Sequence, residues 1–111
     1  MDLMNELQQK IKELEISIKQ LRTSGTNYAE AERDYKILLR KEVLKLRDEG
    51  QAIGVIDKIC YGIEAVAEAR FKRDIAETVY KANLEAINSI KLQMRLLENQ
   101  IQREYGTQIS Q

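Results

Sequence analysis

Proline, histidine and tryptophan are absent from this 111-residue chain, and cysteine occurs once. Without proline, no residue forces a long helix to kink or stop. Without histidine, the commonest general base and metal ligand is missing. Carboxylate pairs such as Glu64 and Glu68 therefore lack the Glu-x-x-His elements of a metal site in a helical bundle. A single cysteine forbids an intrachain disulfide and fits a reducing cytoplasm. Cys60 sits among Ile56, Ile59 and Tyr61 with no histidine to activate it, and reads as a small buried apolar residue. Gly50, Gly54 and Gly62 follow no strand and precede no Gly-Lys-Ser/Thr, so they make no phosphate loop. No apolar run approaches the roughly 20 residues of a membrane span, and no basic region followed by an apolar core opens the chain. The expectation is a cytoplasmic, non-membrane protein with no enzymatic activity, no cofactor and no metal.

What is present points to helices. Lysine plus arginine and aspartate plus glutamate number 18 each, so the net charge is zero. Nothing in that balance draws the chain toward nucleic acid or anionic membrane. Apolar residues make up 43% and charged residues 32%, in proportions rich in Glu, Lys, Leu, Ile, Ala and Arg, the usual content of long helices. The length predicts one domain, residues 1–111, and the fold class is all-α.

The stretch from Ile63 to Tyr105 dominates the chain. It runs 43 residues without glycine, between Gly62 and Gly106. As one helix it spans roughly 65 Å at about 1.5 Å per residue, against a radius of gyration near 13 Å for a compact domain of about 100 residues. A helix of that length implies an elongated molecule and a partner.

Four helices are predicted, over about 2–22, 28–49, 52–60 and 63–105. In the first, Met4, Leu7, Ile11, Leu14, Ile18 and Leu21 alternate in steps of three and four, the seam of a coiled coil. Asp2 caps its start. Thr23-Ser24-Gly25-Thr26-Asn27 reads as a turn, with Asn27 and Glu30 opening the second helix as a capping box. So short a loop predicts an antiparallel hairpin of helices one and two. The second helix carries Tyr28, Ala31, Tyr35, Leu38, Leu39, Val43 and Leu46 on one face, with Ile37 and Leu44 nearly opposite, as if packed from both sides. Arg33, Lys36, Arg40 and Arg47 form a basic stripe beside Leu44, a candidate phosphate-contacting surface joined by Arg70, Lys72 and Arg73. The alternative is a solvated face balanced by its neighbouring carboxylates.

Gly50 ends the second helix. Gln51 to Tyr61 then reads as a two-turn helix forming an apolar corner, since the chain offers no strand to pair with. Its outline resembles a helix-turn-helix, but Glu64 and Glu68 open the third element with the wrong charge for DNA. In the first half of the long helix, Ile63, Val66, Ala67, Phe71, Ile75, Val79 and Tyr80 supply the apolar face, with Ala65, Ala69 and Ala76 between. In its second half, Ile87, Ile90, Met94, Leu97 and Ile101 repeat the three-four seam, widened by Leu84, Leu92 and Leu96. The two matched seams are candidate self-association surfaces, zipping within one chain or between chains. The architecture expected is a coiled-coil-like bundle: a hairpin, a corner helix and one long C-terminal helix, with a polar, frayed tail from Gly106.

Four stretches resemble a family of short helical proteins from temperate phages and prophages of low-GC Gram-positive bacteria. They are Ala31-Glu32-Arg33-Asp34-Tyr35-Lys36, Leu46-Arg47-Asp48-Glu49-Gly50, residues 73–82 (Arg73 to Ala82), and Leu96-Leu97-Glu98-Asn99-Gln100-Ile101. The resemblance covers about Asn5 to Tyr105. It implies an early gene near replication and recombination functions, and no catalytic residues. The family pattern places a proline after the glycine matching Gly50, where this chain has Gln51-Ala52, a departure expected to loosen the corner. The function expected is a homo-oligomeric interaction protein that binds a host or phage protein, as adaptor or inhibitor, with action against host defence as a special case. The alternative is a DNA-binding accessory of phage replication or recombination.

Overall fold

The computed structural model describes residues 2–110, with side chains through Gly106. Met1 and Gln111, at the ends of the expected domain, lie outside the described residues. The elements are α1 (Leu3–Asp48), α2 (Ile53–Ile59) and α3 (Glu64–Ser110), with a 3-10 turn over Cys60–Gly62. No strand occurs among the described residues, and the fold is all-α.

The break expected over Thr23–Asn27 does not exist. One helix runs through it, so the predicted helices 2–22 and 28–49 are a single element and no hairpin joins them. Ser24 is buried, and a Cβ on Gly25 would stand 3.3 Å from Tyr80 Cε1. Residues typical of turns are here the small residues that make room for a neighbouring ring. α3 likewise continues to Ser110, past the tail expected from Gly106.

The ends of α1 follow the sequence. Asp2 Oδ1 accepts a hydrogen bond from the Met4 backbone N–H at 2.9 Å, an N-cap. At the other end Gly50 adopts φ +87°. Its N–H donates to the Arg47 carbonyl and that of Gln51 to the Leu46 carbonyl, at 3.0 and 3.1 Å. This is the Schellman pattern. Gln51 thus supplies an N–H that proline lacks, and the corner is closed here by that bond. Gly50→Ala is expected to lower stability by about 1 kcal/mol, because a Cβ is strained in the left-handed region. Urea denaturation followed by circular dichroism measures it.

By packing, the chain divides into two compact units, residues 24–80 and residues 1–23 with 81–111, each drawing on both long helices. In the 24–80 unit, Tyr28 meets Tyr80 with ring centroids 5.9 Å apart, and Arg73 lies over the Tyr35 ring at 4.6 Å. In the other unit the Asn83 amide donates to the Gln20 carbonyl at 3.4 Å, and residues 5–13 flank residues 93–100. Rising numbers on α1 meet falling numbers on α3, so the segments run antiparallel in each unit.

The buried and half-buried positions of α3 fall at Val66, Ala69, Arg73, Ala76, Tyr80, Asn83, Ile87, Ile90, Met94, Leu97 and Ile101. Apart from Glu77, also half-buried, they form one unbroken three-four line, which half-buried Ile63 continues before the helix. The same line serves both halves of α3. Four of the five buried apolar residues, Tyr35, Ile56, Cys60 and Val66, belong to the 24–80 unit, and only Ile87 to the other. Amide exchange is therefore expected to be slower over residues 28–38 of α1, in the better-buried unit, than over residues 7–18 of the same helix.

Candidate interaction surface

The seam residues divide by burial. Ile87 is buried, and Leu7, Leu14, Ile18, Leu21, Ile90, Met94, Leu97 and Ile101 are half-buried, whereas Met4 and Ile11 are exposed. The inward line of α1 instead passes through Leu3, Leu7, Lys10, Leu14, Ser17 and Leu21. Lys10 sits on that line by pairing with Glu13 at 3.1 Å and keeping its ammonium partly in water. The seams are thus largely covered within the chain. Met4 and Ile11 remain open to water.

Exposed apolar residues are numerous elsewhere too. Five apolar residues are buried among the described residues, while sixteen large apolar side chains are exposed. Phe71, Ile75 and Val79, expected to face inward, lie in water at i, i+4 and i+8 of α3. The inward line runs instead through Ala69, Arg73, Ala76 and Tyr80. Ile37 and Leu44, the second apolar face of α1, are uncovered too. The corner buries Ile56 and Cys60 but exposes Ile53, Val55, Ile59 and Tyr61, Ile53 to 72%.

Arg33, Lys36, Arg40 and Arg47 are all exposed, and the three arginines recur every seven residues on the outer side of α1. Their charge is partly answered. Arg33 donates through Nε and a terminal nitrogen to Asp34 Oδ1 at 3.2 and 3.1 Å, and Lys36 pairs with Glu32 at 3.5 Å. The arginines of α3 have other uses. Arg70 lies over the Tyr61 ring at 5.7 Å. Arg73 combines its contact with Tyr35 and two hydrogen bonds to Asp74 Oδ1, at 3.0 and 2.8 Å. The bond to Asp74 is the main reason its pKa rises further above the ordinary arginine value, so a permanent cation stands on the inward line. A mobility-shift experiment at physiological salt is expected to retain neither single- nor double-stranded DNA.

Grooves run between the helices in each unit. One of about 590 Å³ is lined by Glu6, Gln9, Lys10, Glu13, Gln93 and Leu96, among others. No group of three or more potential metal-ligating side chains gathers among the described residues. No helix among them is long and apolar enough to cross a membrane. Compared with known proteins, the chain matches no family model, no curated protein and no solved structure.

Proposed function

We propose that this is a non-enzymatic helical interaction protein of a temperate phage or prophage. In this reading its long helices pair as a coiled coil, it self-associates, and it works in the bacterial cytoplasm. It acts by binding a host or phage protein, as an adaptor or as an inhibitor that includes host defence among its targets. The observation that carries the reading is the excess of exposed over buried apolar side chains. Exposed apolar side chains that adjoin one another, as Val55 and Ile59 do one turn apart on α2 and Phe71, Ile75 and Val79 on α3, mark surfaces suited to another protein. The resemblance to phage proteins supports the setting, and the exposed corner residues Ile53, Val55 and Ile59 are the surface assigned to the foreign partner.

The test is capture from a lysate of a low-GC Gram-positive host, wild type beside Ile53→Asp/Val55→Asp. A protein retained by the wild type and lost by the variant supports the reading. Equal retention by both removes the corner from it, and no specific retention defeats partner binding. The DNA-binding alternative has the exposed arginine line in its favour, but two of its four cations already hold carboxylates.

A further inference from the structure

We infer that a second copy of this chain packs on one flank of the 24–80 unit and completes a four-helix bundle there. This rests on the self-association reading and names its surface. Two grooves of the unit, of about 520 and 290 Å³, open on this flank. Ile75 and Val79 edge one of them. Glu30 edges the other, and Ile37 and Leu44 continue its line at seven-residue intervals on α1.

Of the five exposed large apolar residues that α1 and α3 give this unit, Ile75 and Val79 line a groove of this flank, Ile37 and Leu44 lie behind its Glu30 edge on α1, and Phe71 lies one turn before Ile75 on the outer side of α3. The opposite flank presents Glu32, Arg70 and Glu77, with Leu39 and Leu46 half-covered. Ala31, Ala65 and Ala69 line the larger groove, so another helix can approach closely.

Charge selects the occupant. Glu30, Asp34 and Glu68 share the flank with Lys41 and Lys72, a mixed set that complements a copy of itself and suits no polyanion.

Sedimentation equilibrium tests the assignment. The wild type is expected at twice its 12.9 kDa chain mass. Ile75→Glu/Val79→Glu is expected to weaken the dimer at least 100-fold while keeping its helical circular dichroism, and Ile37→Glu on the other helix to do the same. Ile11→Glu, an exposed apolar site in the other unit, is expected to leave the dimer intact. A wild type at single-chain mass at every concentration overturns both self-association and this surface. A dimer that persists in both flank variants overturns the surface alone. Loss of helix signal in the α3 variant leaves Ile37→Glu to decide.

Discussion

Val66→Asp is expected to cost about 3–5 kcal/mol and to unfold much of the 24–80 unit, because a carboxylate without a partner is left in a dry site. Val66 is fully buried, at 0% exposure, in the set with Tyr35, Ile56 and Cys60. Protonating the carboxyl only exchanges the charge for an unsatisfied polar group. A domain of this size is held by about 5–15 kcal/mol, and one with so few buried side chains has little reserve. The control is the next residue. Ala67 is exposed one position along the same helix, and Ala67→Asp lies near the N-terminus of α3, where an acid is tolerated. It is expected to change stability by no more than about 0.5 kcal/mol. Urea midpoints by circular dichroism compare the two. Equal effects would mean that the inward line of α3 lies elsewhere.

That line shows what the sequence makes legible. Where inward positions are apolar, spacing finds them: Leu7, Leu14 and Leu21, then Ile87, Ile90, Met94, Leu97 and Ile101, are all half-buried or buried. The Tyr28, Ala31, Tyr35, Leu38 face of α1 is inward as expected, and so is the apolar corner at Ile56 and Cys60. In the first half of α3 apolar patterning finds Ile63, Val66 and Tyr80 but misplaces the stretch between, where the inward line holds Ala69, Arg73 and Ala76. The larger apolar residues Phe71, Ile75 and Val79 face outward. Arg73 is tolerated there because its guanidinium meets both the face of Tyr35 and Asp74. No periodicity of hydrophobic letters reports such a contact. The interaction surface is legible only by subtraction, as apolar residues that two helices leave uncovered.

Gly25→Leu is expected to destabilise the protein by about 1–3 kcal/mol, against the helix propensity of the new residue, which favours it by about 1 kcal/mol. Glycine in the interior of α1 costs helix stability on its own. It is offset by the Tyr80 ring, whose Cε1 and Cδ1 lie 3.3 and 3.6 Å from the place a Cβ would occupy. Ser24 is buried beside it, and the Tyr28 ring is 5.9 Å from that of Tyr80. Two small residues thus form a socket for one aromatic ring, and that socket is what a turn-like sequence encodes here. Gly25→Ala should sit near neutrality, its propensity gain set against a shift of a few tenths of an ångström in the ring. Tyr80→Ala should lose the ring's packing. In the double variant Gly25→Leu/Tyr80→Ala, the leucine has the vacated space, so the losses should fall short of their sum by on the order of 1 kcal/mol or more. A thermal or urea double-mutant cycle measures that coupling. Additive losses, or a Gly25→Leu variant more stable than wild type, would show that Tyr80 does not depend on the gap. The helix would then pass through residues 23–27 for a reason other than packing.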